Sequence, residues 1–328
     1  MPWLLGGGLV LLVALAILAA GAGRYPLSPA DVVASIVRRF ARGGAEAIAD
    51  TVLWQIRLPR IALASLTGAA LGAAGAAFQH LFRNPLVAPD TLGVSSGAAL
   101  GAVIAIFAGA GAAAAGVAAF GGGLVTVALV TTLAARIPAH DRVLTLILIG
   151  VVIASLGGAA LSLLKFMADP YNQLPAITFW LMGSLAAATW QQVAVAGTAI
   201  LAAVALLAAL AWRINLLALP EDEARALGLH ATRLRSAVVT AATIATAASV
   251  AVCGIIGWVG LVVPHMARLV AGPEFSRLLP LATLFGAIFM LAIDTLARAA
   301  TDVEVPPGIL TAFIGTPLFI VLLARKAA

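Results

Sequence analysis

The stretch IALASLTGAALGAAGAAFQHLF, residues 61–82, contains no Asp, Glu, Lys or Arg. An α-helix needs about 20 consecutive apolar residues to cross the hydrocarbon core of a bilayer, and this stretch is long enough. Much of it is Gly and Ala. Small residues let membrane helices approach closely, because packing rather than exclusion of water drives their association. The stretch therefore predicts a transmembrane helix in close contact with its neighbours.

The rest of the chain repeats this apolar pattern. Of its 328 residues, 63% are hydrophobic and 10% are charged, with a mean hydropathy of +1.12, whereas soluble domains carry about 25% charged residues. Such a chain cannot hide its apolar surface from water, so its solvent is largely lipid. Apolar segments lie at 3–22, 61–82, 92–109, 114–135, 143–167, 190–212, 234–253, 255–271, 279–299 and 308–324. We therefore predict an all-α polytopic membrane protein with ten transmembrane helices in a single domain, residues 1–328.

Two of these segments are unusual. Segment 3–22 is longer than the roughly 7–15-residue core of a signal peptide, and no basic residue precedes it, so we interpret it as a retained span. Segment 255–271 is short and contains Pro264, His265 and Arg268, so a partial or re-entrant span is the alternative there. Ten spans place both termini on one side. The basic residues favour the cytoplasm for the termini only weakly, because long loops contribute little to orientation.

Two segments between the spans carry helix signals. In the segment 24–60, predicted to lie outside, Ser28 can cap a short amphipathic helix and a proline follows it at the first helical position. In the segment 213–232, Pro220 starts a short helix with acidic residues in its first turn, and Gly228 supplies a stop. This second segment is either a solvated connector or a helix offered to a partner protein.

The phosphate-loop, zinc and paired-cysteine motifs of soluble enzymes are absent. The sequence has no GxxxxGK[ST] loop for phosphate, and no HExxH or CxxC motif. We therefore expect no catalytic residue, no metal site and no cofactor in this chain, and an energy source in another subunit or an ion gradient. The single cysteine, Cys253, excludes an internal disulfide and a Cys-based metal site. Basic residues are scattered over short connecting segments, so nucleic-acid binding is not expected.

Two other classes of membrane protein remain as alternatives. An ion-coupled secondary transporter would show unpaired acidic residues inside its spans. Here Asp294 is the main candidate, and Arg298 lies four residues later on the same predicted helix as a ready partner. A non-transporting scaffold does not account for Gly-rich spans combined with a structured soluble helix. Stable co-purification of an ATPase would separate an ATP-driven transporter from both alternatives.

Six blocks of sequence resemble a known family, the FecCD-type permeases of iron-siderophore, haem and vitamin B12 ABC importers, which are type II importers. The blocks occur in order along almost the whole chain. They are WQIRLPRIALASLTGAALGAAGAAFQHLFRNPLVAPDTLGVSSGAALGA (54–102), FWLMGSL (179–185), NLLALPEDEARALGL (215–229), GWVGLVVPHMARLVAG (257–272), LLPLATLFGAIFMLAIDTLAR (278–298) and EVPPGILTAFIGTPLFIVLL (304–323).

The resemblance implies an assembly in the bacterial inner membrane. In such permeases ten helices place both termini in the cytoplasm, and two copies, or two related chains, line the path along their common axis. Two cytoplasmic ATPase subunits bind ATP and Mg, and a periplasmic binding protein delivers the cargo. The resemblance favours a ferric siderophore as cargo. Haem is the first alternative, and cobalamin or another metal chelate is the next.

The resemblance also implies roles for particular residues. Coupling to the ATPase falls on Glu221, Ala224, Arg225, Leu227 and Gly228, although this chain has Pro220-Glu221 where the family usually has Gly-Glu. Docking of the binding protein falls on Arg57 and Arg298, with Arg60 a weaker candidate. The fifth and tenth spans, 143–167 and 308–324, line the path. The small residues expected to form its wall are Gly150, Ala154, Ser155, Gly157 and Gly158.

Overall fold

The structure, a computed structural model, describes residues 1–23, 25–42, 48–138, 141–217, 223 and 228–327. These residues form helices and connecting turns without a β-strand, which confirms the predicted all-α class. The helices, numbered in chain order, are α1 Pro2–Gly21, α2 Pro29–Arg42, α3 Ile48–Leu81, α4 Val94–Phe107, α5 Ala112–Arg136, α6 Arg142–Met167, α7 Gln173–Met182, α8 Trp190–Ala209, α9 Ala211–Leu216, α10 Ala231–Cys253, α11 Val259–Ala271, α12 Phe275–Ala299 and α13 Pro307–Ala327. A 3₁₀ turn, Pro89–Leu92, precedes α4.

Seven of the described helices, α1, α3, α5, α6, α8, α10 and α12, are long and apolar enough to cross a membrane. Two shorter apolar helices, α4 and α11, and the apolar part of α13, Pro307–Leu322, lie at the other predicted positions. Helix α11 has 13 residues. At about 1.5 Å per residue it is roughly 20 Å long, whereas the hydrocarbon core is about 30 Å thick. This length favours the partial span at 255–271, and the count of ten spans stays a prediction.

Helix α3 is the centre of the bundle. In its apolar window 78% of the residues are buried, and it packs against α8, α10, α11 and α12. The contact with α12 leaves no room for a side chain at Gly68 or Gly286. A Cβ on Gly68 would lie 2.0 Å from the carbonyl oxygen of Gly286, and a Cβ on Gly286 would lie 2.1 Å from that of Gly68. The small residues of this stretch therefore set the distance between the two helices.

Helix α2 begins as its sequence predicts. The hydroxyl of Ser28 donates a 2.6 Å hydrogen bond to the Asp31 carboxylate, and the backbone N–H of Asp31 donates to the Ser28 hydroxyl at 3.2 Å. The hydroxyl and the backbone N–H of Ser28 both donate to this carboxylate and hold the pKa of Asp31 below its usual value. Arg38 ties α2 to the start of α3, since its guanidinium contacts Asp50 at 2.7 Å. The Ser28 cap and a short helix are thus present, while the position of the segment outside the membrane stays a prediction.

Helix α7 was not predicted as an element, although part of its sequence lies in a block that resembles the family. It has 10 residues, too few for a span, and ends at Gly183. Gln173 fixes its first turn by donating to the carbonyl oxygen of Phe107 at 2.9 Å. Its end is held where the backbone N–H of Ser184 donates to the carbonyl oxygen of Cys253 at 2.8 Å. The helix therefore links the end of α4 to the end of α10.

Candidate docking, path and coupling sites

Three arginines and two carboxylates meet at one end of the bundle, where α1 ends and α3 begins. We call this group the arginine cluster; it consists of Arg57, Arg60, Asp294, Arg298 and Glu304. Arg57 ends a π-helical turn, Val52–Arg57, inside α3. Such turns are rare and are frequent at functional sites. Asp294 and Arg298 lie near the end of α12, and Glu304 lies in the segment before α13.

Arg60 bridges the two carboxylates of the cluster. Its Nε lies 2.9 Å from Oδ1 and 3.1 Å from Oδ2 of Asp294, and its Nη1 lies 3.2 Å from Oε2 of Glu304. Asp294 is fully buried and Arg60 is 6% exposed. The predicted contact between Asp294 and Arg298 is present at 3.6 Å. The closer partner of Asp294 is nevertheless Arg60, which the spacing along one helix could not indicate.

Arg57 and Arg298 hold the end of α1. Arg57 donates to the carbonyl oxygens of Ala20 and Tyr25. Arg298 donates to the carbonyl oxygen of Ala22 at 2.6 Å and also to that of Ala19. The last carbonyls of a helix lack partners inside the helix and carry partial negative charge, so cations are favourable there. The two guanidiniums thereby join α1 to α3 and α12.

All three arginines expected to dock a binding protein are buried in this chain. Their exposed fractions are 4% for Arg57, 6% for Arg60 and 9% for Arg298. Docking through these residues therefore requires that their side chains exchange carbonyl or carboxylate partners of this chain for those of another protein. The docking role of all three stays a prediction, whereas the role of Arg57 and Arg298 in holding α1 is visible.

The five small residues expected on the path all lie on α6 and divide into two groups. Gly150, Ala154 and Gly157 face the chain itself: a Cβ on Gly150 would lie 2.3 Å from the carbonyl oxygen of Thr91, and Ser96 contacts both others. Ser155 is exposed and bonds only its own helix at the carbonyl oxygen of Val151. Gly158 has open space beside it. Ser155 and Gly158 thus face away from the bundle.

Helix α6 has the least buried apolar window of the long helices, with 6% of its residues buried. Large apolar side chains surround Ser155 and Gly158 on its outer face: Leu148 is 56% exposed, Val152 64% and Leu156 67%. Within the described chain this face has no partner helix. It is a smooth apolar surface with small residues in its middle.

Most of the predicted coupling residues, namely Glu221, Ala224, Arg225 and Leu227, lie outside the described residues. Gly228 is described and has a φ of 76°, a left-handed conformation that commonly ends a helix. No described atom lies within 4 Å of where a Cβ on Gly228 would be. The conformation fits the predicted stop, while the role in coupling stays a prediction.

The segment that leads to the coupling residues is firmly attached to the bundle. Asn215 in α9 donates to the hydroxyl of Ser276 at 2.8 Å and accepts from the backbone N–H of Phe275 at 2.6 Å. His80 Nε2 lies 3.2 Å from the carbonyl oxygen of Ile214, and Arg83 donates to that of Leu217 at 2.5 Å. Helix α9 is thus joined to the end of α3 and the start of α12.

Sequence reasoning missed Asn215, His80 and Arg83 as attachment points. The available signal was their position: Asn215 opens the block NLLALPEDEARALGL, and the other two close the long apolar stretch at 61–82. A polar residue at such a boundary has many possible partners, so the sequence alone could not name the bonds.

Comparison with known proteins places these features in a family. The model of the FecCD transport family matches residues 11–325. The molybdate import system permease protein MolB of Haemophilus influenzae is 40% identical over 324 residues, which cover 99% of this chain and 96% of the relative. A probable iron chelatin transport system permease protein of Helicobacter pylori is 37% identical over 295 residues, which cover 90% of this chain and 89% of the relative.

A solved structure has the same fold. It is described as an inward-facing conformation of a putative metal-chelate type ABC transporter, and it superposes with a TM-score of 0.90 at 39% identity, covering 99% of this chain and 100% of that one. The predicted family resemblance is therefore confirmed over nearly the full length, and the chain belongs to the FecCD transport family.

Proposed function

We propose that this chain is the membrane-spanning permease subunit of an ATP-binding-cassette importer that carries a metal chelate from periplasm to cytoplasm across the bacterial inner membrane. The observation that carries the proposal is the match to a metal-chelate type ABC transporter over 99% of the chain, at a TM-score of 0.90. In this proposal ATP and Mg are held by two partner ATPase subunits, and a periplasmic binding protein delivers the cargo.

The unpartnered face of α6 supports a path formed by two copies of the chain. Helix α13 also exposes large apolar side chains, with Phe313 75% exposed and Ile320 61% exposed. Two such surfaces facing each other would form a channel wall of small and apolar groups around Ser155 and Gly158. A wall without charged ligands suits a bulky cargo that must be released, so selection among cargoes would fall mainly to the binding protein.

The attachment of α9 supports a route for coupling by alternating access. Closure of the ATPase subunits would push the segment 218–227, which follows α9. The hydrogen bonds of Asn215 would transmit this movement to the start of α12. Those of His80 and Arg83 would transmit it to the end of α3. Because α3 is the central helix, movement at its end reaches most of the bundle.

For the cargo we propose a ferric siderophore first, with haem, cobalamin or another metal chelate as alternatives. The relative described as an iron chelatin permease, 37% identical, supports the iron chelate. The relative described as a molybdate permease, 40% identical over 99% of the chain, favours molybdate as a second candidate. A transport assay must therefore include molybdate.

The test is uptake into proteoliposomes that contain this chain and its ATPase, with ferric siderophore, haemin, cobalamin and molybdate offered in parallel, each with its binding protein. We expect ATP-dependent accumulation of one of the four, lost when the ATPase is left out. Uptake that follows an ion gradient without ATP would contradict the proposal and favour a secondary transporter. ATP-dependent uptake of molybdate alone or of haemin alone would support the importer class. It would also show that the cargo is that compound and not a ferric siderophore.

A further inference from the structure

A cavity of about 810 Å³ lies between the ends of α3 and α5, the first turns of α6 and the first half of α10. One wall is apolar and includes Leu124, Val127 and Leu146. The other follows a single face of α10, where four hydroxyl-bearing residues recur at helical spacing. They are Thr232, Ser236, Thr240 and Thr243.

The cavity begins at the surface of the membrane and runs inward. Its lining includes the last residue of α5, Arg136, and the second residue of α10, Thr232, so its mouth lies where these spans end. On α10 the lining extends from Thr232 to Thr243, which is about 16 Å along a helix. That depth is close to half of the hydrocarbon core, which is roughly 30 Å thick.

Two arginines stand at the mouth without a partner among the residues that the structure describes. Arg136 and Arg235 both line the cavity, and neither makes a hydrogen bond or ion pair with any described residue. The acidic residue nearest to Arg136 in sequence, Asp141, is used elsewhere, since its carboxylate accepts from the backbone N–H groups of Val143 and Leu144 at 2.9 and 3.0 Å. The mouth of the cavity is therefore positively charged.

A second observation lies deeper in the cavity. Thr243 is 2% exposed, and its hydroxyl has no hydrogen-bond partner among the described residues. A buried hydroxyl without a partner costs free energy, roughly 1–3 kcal/mol. An occupant with a polar atom at this depth would remove that cost. The cavity thus combines a cationic mouth, a line of hydroxyls and an apolar wall.

We propose that this cavity binds an anionic phospholipid, with its phosphate between Arg136 and Arg235 and the upper part of an acyl chain against the apolar wall. Basic pockets between transmembrane helices at the membrane surface are suited to anionic lipid headgroups. A volume of this size also fits an amphipathic ligand better than a small free anion. Because the short segment 137–141 joins α5 to α6, the lipid would stabilise the position of the path helix, whatever the cargo.

The test uses native mass spectrometry on the delipidated full-length chain, with phosphatidylglycerol and phosphatidylcholine as probes. We expect selective binding of phosphatidylglycerol, weakened about fivefold by each of Arg136→Gln and Arg235→Gln, in proportion to the loss of one cation near a lipid surface. Arg233→Gln is the matched control, since Arg233 is exposed on the same turn of α10 and does not line the cavity; it should leave binding unchanged. Ala128→Phe fills the cavity and should weaken binding of the lipid without removing a charge.

Three results would overturn the proposal. Equal binding of the two lipids would mean that no headgroup is recognised. Equal loss from Arg233→Gln and from Arg235→Gln would mean that general surface charge is responsible. Displacement of phosphatidylglycerol by inorganic phosphate at millimolar concentration would indicate a site for a soluble anion. An unchanged melting temperature in the Gln variants confirms that any loss of binding is not a loss of folding.

Discussion

Arg60 and Asp294 form a buried ion pair across 234 residues of sequence, with the guanidinium Nε 2.9 Å from the carboxylate Oδ1. This pair joins the central helix α3 to α12 at the end of the bundle where a binding protein is expected to dock. Arg60 also reaches Glu304 before α13. One side chain therefore connects three parts of the chain, and the first prediction concerns its removal.

Replacing Arg60 by Met should destabilise the protein strongly. Breaking a buried pair typically costs about 3–5 kcal/mol, and here Asp294 would keep only the longer, 3.6 Å contact with Arg298. Thermal unfolding in detergent measures the effect. The control is Arg277→Met, which breaks a solvent-exposed pair with Glu274 and should cost under about 1 kcal/mol. Equal losses in the two variants would show that the Arg60 pair does not stabilise the bundle.

Substitution of Gly68 should disrupt the contact between α3 and α12. A Cβ at this position lies 2.0 Å from the carbonyl oxygen of Gly286, so Gly68→Ala forces the two backbones apart. Overpacking of this kind costs about 1–3 kcal/mol. Gly121→Ala is the control, because this glycine of α5 has open space beside it. A melting temperature lowered only by Gly68→Ala supports the prediction, and tolerance of both changes contradicts it.

Arg57→Glu separates docking from the attachment of α1. The change removes one hydrogen bond to Ala20 at the end of α1 and one to Tyr25 just beyond it, and it should lower stability. If Arg57 also docks the binding protein, affinity should fall by more than about 2 kcal/mol, or roughly 30-fold, as charged interface pairs do. Surface plasmon resonance with the binding protein gives the affinity. The control is Arg39→Glu, on the exposed surface of α2.

Stability and binding-protein affinity, measured on Arg57→Glu, distinguish the two roles of this arginine. Lower stability with unchanged affinity would show that the arginine serves α1 alone, and the docking prediction would be wrong. A large loss for Arg39→Glu as well, one that disappears at high salt, would indicate long-range attraction rather than a specific contact.

Asn215→Ala should uncouple ATP hydrolysis from transport. It removes the bonds from α9 to Ser276 and Phe275, so movement of the coupling segment would reach α12 less directly. A lost hydrogen bond is worth about 0.5–1.5 kcal/mol, so we expect roughly a threefold to tenfold drop in cargo carried per ATP hydrolysed. Thr198→Ala is the control, since that hydroxyl bonds only its own helix. An unchanged ratio would contradict the coupling route.

Composition and apolar periodicity were sufficient for the class of the fold and for the positions of the long helices. They failed for α7, because its 10 residues are too few for a span and its structure depends on contacts with α4 and α10. They also left α11 undecided, since a short apolar stretch with Pro264 is compatible with either a full or a partial span. The length of α11 in the structure, 13 residues, distinguishes a full from a partial span better than composition does.

The arginine cluster shows the limit for sites. A spacing of four along one helix correctly indicated that Asp294 and Arg298 are near each other, at 3.6 Å. The stronger partner, Arg60, comes from a helix that is distant in sequence, and no local pattern reports such a pair. Likewise the backbone carbonyls that hold Arg57 and Arg298 carry no signal in the sequence, because every residue has one.

The attachment of α1 has a consequence for how the chain is made. Arg298 is synthesised 276 residues after Ala22, whose carbonyl oxygen it binds. During translation the first helix must therefore remain in the bilayer with the carbonyls of Ala19 and Ala22 unpaired by Arg298 until almost the whole polypeptide has been made. Its outward side chains, such as Leu9 and Val10, are apolar, so lipid solvates them equally well before and after the helix is attached. The attachment of α1 is thus completed late in biogenesis. A chain truncated before α12 would lack the hydrogen bonds that Arg298 donates to α1.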